Sequence, residues 1–182
     1  MVPERLGPLP DGFVTARDAL HRLAEDVLSP QQAAVNGDIH FEAWPGGFAT
    51  PEFGDGRRLM VEGAHVVELA GGEEVRRDPI PGVDEEAARW LGELFAFGDA
   101  LLRELDADEP IRLWPEHFDI ATVVGRATFG VSPGDADHDE PYLYVSSWDG
   151  VQVDAVGFSG AQLNAPGLTL DEGRAFFARW PG

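Results

Sequence analysis

Apolar residues recur at helical spacing in three parts of the chain. One stripe covers residues 15–29, and Pro30 is expected to end that helix. The longest helical pattern covers residues 84–106. Thr169 and Glu172 stand three positions apart, the spacing of a capping box, ahead of a short apolar stripe. The pattern therefore predicts two main helices and a short C-terminal helix.

The helix predicted over residues 84–106 has a defined start and two weak points. Asp84 can accept hydrogen bonds from the backbone of the first turn. Gly92 and Gly98 lower the helix propensity locally. Small residues at these positions predict either close packing of the helix on a sheet or a bend.

Alternating apolar and polar residues predict strands between these helices. The strands are expected near residues 38–44, 57–63, 65–70, 73–78, 111–115, 119–131, 142–148 and 151–157. Gly71-Gly72 and Asp149-Gly150 are typical of two-residue hairpin turns. The order of elements predicts an α+β fold with a mostly antiparallel sheet. We expect one domain over residues 1–182, with residues 1–14 as an N-terminal arm.

Composition and charge narrow the range of functions. The chain has 182 residues, 43% of them apolar, and a formal net charge of −20. A surface of this charge repels phosphate backbones and anionic lipids, so nucleic-acid and membrane partners are not expected. No apolar run approaches the length of a transmembrane helix, and the N-terminus lacks the pattern of a signal peptide. We therefore expect a soluble, cytoplasmic protein.

Two residue types are absent, and their absence excludes several kinds of chemistry. The sequence contains no cysteine, which removes disulfides, thiolate nucleophiles and cysteine-ligated zinc. It contains no lysine either, so Schiff-base chemistry and a Walker-type phosphate loop are excluded. The remaining chemistry depends on His, Asp, Glu, Ser, Thr, Tyr and Arg.

The segment from 113 to 148 has the densest set of polar candidates. If residues 113–121 are extended, His117 and Asp119 share one strand face. His138 and Asp135 then offer further ligands for a divalent metal, held by imidazole and carboxylate groups. The alternative is structural, with His117 pairing with backbone groups near Trp114 and Asp119 capping a turn.

These residues support two different hypotheses about function. In the first, His117, Asp119 and Glu140 are catalytic in a metal-dependent hydrolase or isomerase that acts on a small polar molecule. The ligand-binding residues would then be Trp114, Arg126, Tyr142 and Tyr144. In the second, the protein is a non-catalytic binding module for a sugar or peptide. Its aromatic cleft would be formed by Trp44, Trp114, Tyr142, Tyr144 and Trp148. A structural interaction protein is a third alternative.

The other histidines give weaker signals. His40 and Glu42 form a second His-x-Glu pair on a predicted strand. This pair either faces solvent, as one face of an antiparallel sheet commonly does, or extends the site around His117. His21 and His65 have no spacing that suggests a site.

The motifs LWPEHFDIA and SPGDADHDEPYLYV, within residues 113–148, resemble the signature of a family of bacterial proteins without an established activity. That signature has a Trp/Phe-Pro-x-His-Phe-Asp segment followed by Ser-x-Gly-Asp and Glu-Pro-Tyr-x-Tyr. The resemblance implies that the following residues correspond to recurring positions of that family: His117, Phe118, Asp119, Gly134, Asp135, Glu140, Pro141 and Tyr142. It implies no activity.

Overall fold

The computed structural model describes residues 1–148 and 160–180 and has the predicted α+β fold. Its strands form two antiparallel five-stranded sheets, where the pattern predicted one. The first sheet contains β1 (Glu42–Trp44), β2 (Gly47–Ala49), β3 (Arg58–Glu62), β4 (His65–Ala70) and β5 (Glu73–Pro79). The second contains β6 (Arg112–Trp114), β7 (Asp119–Val124), β8 (Ala127–Ser132), β9 (Tyr142–Ser147) and β10 (Gly160–Asn164). In both sheets, strands that follow each other in the chain are hydrogen-bonded neighbours.

The first helical region is longer than predicted because it continues through Pro30. It consists of α1 (Phe13–Leu23), a π-helical turn (Ala24–Leu28) and α2 (Ser29–Asn36). The N–H of Ser29 donates to the carbonyl of Ala24, five residues earlier, so the turn is widened. Pro30 then lies in the first turn of α2, directly after the widened turn, and the backbone stays helical on both sides of it. None of the described helices is both long enough and apolar enough to cross a lipid bilayer.

Helix α3 (Glu85–Leu102) packs against both sheets and begins at the predicted cap. The Asp84 side chain accepts from the backbone N–H groups of residues 86 and 87. A Cβ atom at Gly92 would lie 2.5 Å from the carbonyl carbon of Gly46, and one at Gly98 would lie 2.9 Å from Val131. The predicted close packing at these two glycines is confirmed. A final short helix, α4 (Leu170–Phe177), begins with the predicted capping box.

The two sheets share one hydrophobic core. Phe41 and Leu113 exchange two backbone hydrogen bonds of 2.8 Å and so join the first sheet to the second. The core cluster includes side chains from both sheets, from the π-helical turn and from α1, α3 and α4, and its largest buried residues are phenylalanines. Side chains on one face of the second sheet belong to this core, which leaves the opposite face available for other contacts.

Other local predictions succeed or fail for identifiable reasons. Gly71-Gly72 joins β4 to β5 as expected. Residues 119–131, predicted as one strand, form the hairpin β7–β8 with a turn at Gly125, which has a φ of 57°. The segment 1–14 is not a free arm, because Leu6 is fully buried and its N–H donates to the carbonyl of Leu168. Strand β10 was not predicted. The Asp149-Gly150 turn and the strand predicted over 151–157 lie outside the described residues.

Candidate functional site

The face of the second sheet that points away from α3 forms the floor of a cavity of about 840 Å³. Strand alternation separates the two faces. Ile120, Phe129 and Leu143 belong to the core, whereas Asp119 and Tyr144 face the cavity. The described lining residues are His21, Trp114, Glu116, His117, Asp119, Ala121, Thr128, Ser132, Asp135, Tyr142, Tyr144 and Ser146. The cavity therefore combines aromatic rings with carboxylates, hydroxyls and two imidazoles.

A buried tyrosine–aspartate pair lies on the cavity floor. The hydroxyl of Tyr144 on β9 donates a hydrogen bond to Oδ2 of Asp119 on β7. Gly130, on the strand between them, is the register partner of Tyr144. A Cβ atom at Gly130 would lie 2.4–2.5 Å from the ring and hydroxyl of Tyr144. A glycine at this position therefore lets the tyrosine ring cross β8 and reach the carboxylate.

One carboxylate oxygen of this pair has no protein partner among the described residues. Asp119 is only 7% exposed, and its Oδ1 atom is buried without a hydrogen bond. Nearly all buried polar atoms in native proteins are hydrogen-bonded, so such an exception calls for a physical explanation. Since Asp119 lines the cavity, a ligand in the cavity is one group that could provide the missing donor.

Burial changes the ionisation of both members of the pair. Loss of solvent raises the pKa of Asp119, while the Tyr144 hydrogen bond and the nearby His117 lower it in part. Burial also raises the pKa of Tyr144 well above its ordinary value, and the negative charge of Asp119 adds to that effect. Tyr144 therefore remains a hydrogen-bond donor, and Asp119 holds a proton more tightly than an exposed aspartate would.

Tyr142 forms the neighbouring part of the floor. Its hydroxyl is hydrogen-bonded to Ser132, and burial raises its pKa. Its ring centroid lies 6.2 Å from that of Tyr144, with the planes inclined by 59°. The ring of His138 packs edge-on against Tyr142 at 5.0 Å. The two tyrosines thus form an aromatic corner, and His138 supports one of them from the side.

The segment expected to extend through 113–121 instead turns between β6 and β7. The N–H of Phe118 donates to the carbonyl of Trp114 at 2.7 Å, and Phe118 has a φ of 52°. A left-handed backbone costs a phenylalanine roughly 1–2 kcal/mol. This residue is fully buried, and its ring stacks on that of His21 with an angle of 3° between the planes. The turn places the exposed Glu116 and His117 at the cavity.

His21 fixes this turn to α1. Its Nε2 atom lies 2.8 Å from the carbonyl oxygen of Pro115, and its ring covers Phe118 at a centroid distance of 5.0 Å. The same side chain lines the cavity. Residue spacing does not indicate this role, because it depends on the tertiary contact between α1 and the turn that joins β6 to β7.

The acidic loop before β9 is ordered by one of its own aspartates. Oδ1 of Asp135 accepts hydrogen bonds from the N–H groups of Asp137 and His138. Beneath the loop, the buried Arg17 donates to the carbonyl of Asp139 at 3.3 Å. Asp135 also lines the cavity, so it combines a structural role with a place at the site.

The four predicted metal ligands do not assemble into a metal site. Among the described residues, no group of three or more His, Asp or Glu side chains is placed to hold a metal ion. His117, Asp119 and Asp135 line the cavity, but His138 packs beside Tyr142 outside it. Closeness in sequence did not fix the direction of the loop side chains, so His138 does not join the other three, and metal binding stays a prediction.

Two other predicted site residues lie away from the cavity. Glu140 is exposed and accepts a hydrogen bond of 2.8 Å from Asn164, so it is not placed to act with Asp119. Arg126 lies in the exposed turn between β7 and β8 and is not part of the lining. Of the predicted ligand-binding residues, Trp114, Tyr142 and Tyr144 do line the cavity.

The proposed aromatic cleft is divided between different parts of the molecule. Trp44 lies in the first sheet, where the guanidinium of Arg58 stacks over its ring at 4.7 Å. Trp148 is 56% exposed and donates to Thr128 Oγ1 at 3.2 Å. Neither lines the cavity.

The second predicted histidine pair does not extend the site. His40 is hydrogen-bonded to Asp38, and Glu42 forms an ion pair with Arg58. Neither residue is among those that line the cavity.

Several lining residues were not predicted although the sequence carries a signal for them. Thr128 and Ser132 share one face of β8, and Ser146 continues that face on β9. Once the strands and their register are known, period-two alternation assigns all three to the cavity face. The missing information was therefore the pairing of the strands.

Comparison with family models, with curated proteins and with solved structures finds no match to the chain. The resemblance of residues 113–148 to a bacterial family thus stays a prediction, and function has to be argued from the cavity itself.

Proposed function

We propose that this protein binds a small polar molecule in the cavity on the second sheet, with Asp119 as its principal polar contact. The rings of Trp114 and Tyr142 would pack against the apolar part of that molecule. Cavities that combine aromatic walls with a few fixed polar groups are typical of small-ligand sites.

The unpartnered Oδ1 atom of Asp119 is the observation that carries this proposal. Leaving a buried acceptor without a donor costs about 1–3 kcal/mol, and more for a charged group. Asparagine would keep the acceptor for the Tyr144 hydroxyl without a charge, so stability alone does not account for an aspartate here. A ligand that donates to Oδ1 supplies a reason for this residue.

Acid–base catalysis on the bound molecule is a second candidate. It is favoured by the contact between Asp119 and Tyr144, two groups whose pKa values are both raised by burial. A carboxyl group with a raised pKa is suited to exchanging a proton with a ligand near neutral pH. The proposal includes no metal, since the donor set does not assemble one.

The test is a binding screen of small polar metabolites, followed by amide and side-chain NMR of the wild-type protein. We expect at least one compound to shift the signals of Trp114, His117 and Tyr144 together. Asp119→Asn should lower the affinity of the protein for that compound, while the matched variant Glu73→Gln should leave the affinity unchanged. Glu73 is an exposed carboxylate on β5 in the other sheet. A screen in which no compound perturbs the cavity signals would overturn the proposal. Incubating each hit with the protein and analysing the products tests the catalytic candidate.

A further inference from the structure

The charges around the cavity are unbalanced. Glu116, Asp119 and Asp135 contribute carboxylates, and no arginine is among the described residues that line it. Among the lining residues within 1–148 and 160–180, the imidazoles of His21 and His117 are the only groups able to carry a positive charge. The surrounding chain, with its formal net charge of −20, adds to the negative potential. An anionic ligand would meet repulsion, whereas a cation would be attracted.

The buried arginine closest to the acidic loop is already committed to other partners. Arg17 is 2% exposed and bonds to Asp18 through Nε at 2.9 Å. Its Nη2 atom lies 2.8 Å from the same Asp18 carboxylate and 3.9 Å from that of Asp139, and Nη1 donates to the Asp139 carbonyl at 3.3 Å. This guanidinium is therefore used by Asp18 and the acidic loop.

The unpartnered atom on the floor and the surrounding rings favour the same class of ligand. Oδ1 of Asp119 needs a donor, and a charged N–H donor makes a stronger bond to a carboxylate than a neutral hydroxyl does. Aromatic faces attract organic cations through their quadrupoles. The corner formed by Tyr142 and Tyr144 supplies such faces beside the carboxylate. The ring of Trp114 also lines the cavity, and the guanidinium of Arg112 lies over it at 5.7 Å.

We infer that the cavity selects a small organic cation, an ammonium group attached to an apolar body, and that Asp119 binds the ammonium. This inference rests on the proposed function, whose ligand class it specifies. A cation on Oδ1 would favour the charged carboxylate and so offset the desolvation that raises the pKa of Asp119, more strongly than a neutral donor would.

Three probes of one shape and different charge provide the test: phenethylamine, phenethyl alcohol and phenylacetate. Calorimetry and protein NMR would measure their binding to the full chain at neutral pH. We expect the amine to bind about tenfold or more tightly than the alcohol, and phenylacetate to bind most weakly. In Asp119→Asn the affinity for the amine should fall by about tenfold, with the affinity for the alcohol nearly unchanged.

Two further variants separate the local effect from the general charge of the protein. Glu116→Gln removes an exposed carboxylate at the cavity and should lower the affinity for the amine by about two- to threefold. Glu73→Gln removes the same charge from the other sheet and should leave all three affinities unchanged. Equal binding of amine and alcohol, a preference for phenylacetate, or no binding of the amine would overturn the inference. The proposed function fails separately, if no compound of the metabolite screen perturbs the cavity.

Discussion

The hydroxyl of Tyr144 on β9 reaches past Gly130 on β8 to bond the carboxylate of Asp119 on β7. Three strands thus cooperate in placing one buried polar pair. The tyrosine satisfies Oδ2 of the carboxylate, and Oδ1 is buried without a partner among the described residues, in a side chain that lines the cavity. Such an unpaired acceptor is costly for stability, and the proposed binding role of Asp119 gives a reason for it.

Asparagine at position 119 is expected to stabilise the protein at neutral pH. Burial raises the pKa of Asp119 above its ordinary value of 3.8, so the folded protein binds this proton more tightly than the unfolded chain does. The contribution of Asp119 to stability therefore falls as pH rises from its unfolded pKa to its folded pKa. Asp119→Asn removes the buried charge but places amide N–H groups where Oδ1 now lies, so the gain in the free energy of unfolding near neutral pH should be about 1 kcal/mol or less.

Denaturant unfolding across a range of pH checks this prediction. The gain from Asp119→Asn should shrink as the pH falls to and below the ordinary aspartate pKa of 3.8, because only below that value is the wild-type carboxyl largely protonated in both states. Glu73→Gln serves as the control and should show no such trend. A destabilised Asp119→Asn protein at neutral pH would mean that the carboxylate has a favourable partner.

An alanine at position 130 is expected to displace Tyr144. The new Cβ atom would lie 2.4–2.5 Å from the tyrosine ring, and the ring would have to leave its place over the strand. We expect a loss of about 1–3 kcal/mol in unfolding free energy, together with weaker ligand binding. Gly7→Ala is the control, since its Cβ atom would meet only Trp90 at 3.8 Å. Equal effects of the two substitutions would contradict the proposed role of Gly130.

Local sequence signals predicted a large part of this fold. The Gly71-Gly72 turn, the Asp84 cap and the capping box at Thr169 depend on residues a few positions apart, and each appears where expected. The turn at Gly125 was missed because apolar alternation continues on both sides of it. The passage of the first helix through Pro30 was missed because a π-helical turn leaves no pattern in the sequence.

The candidate site was predicted only in part, because several of its residues are brought together by strand pairing and helix packing. His117, Asp119 and Tyr144 were expected near one another, and the sheet brings all three to one cavity. Strand pairing across the sheet decided which neighbours joined them. Glu140 turns to Asn164 outside the cavity, and His21 arrives from a helix nearly one hundred residues earlier in the chain. Such contacts depend on tertiary packing, which a spacing pattern does not encode.

Loss of the α3 cap should destabilise the whole molecule, because α3 packs against both sheets. The Asp84 carboxylate accepts from the N–H groups of Glu86 and Ala87 at 3.0 Å each. Asp84→Ala is expected to lower the free energy of unfolding by about 1 kcal/mol. Asp84→Asn retains an acceptor, so its free energy of unfolding should fall by only a few tenths of that amount. Thermal and denaturant unfolding would measure both, and identical losses would show that the cap bond is not the cause.

Removal of the Tyr144 hydroxyl should raise the pKa of Asp119 further. The hydrogen bond from Tyr144 stabilises the charged carboxylate and so lowers its pKa against the larger effect of burial. In Tyr144→Phe both carboxylate oxygens would be buried without this donor, and the proton would be held more tightly. A ¹³C-detected titration of the aspartate carboxyl groups measures the change directly. Tyr142→Phe is the matched control, because the Tyr142 hydroxyl bonds Ser132 rather than Asp119. An unchanged pKa of Asp119 in Tyr144→Phe would show that this hydrogen bond does not stabilise the carboxylate, and the binding role assigned to the pair would lose its electrostatic basis.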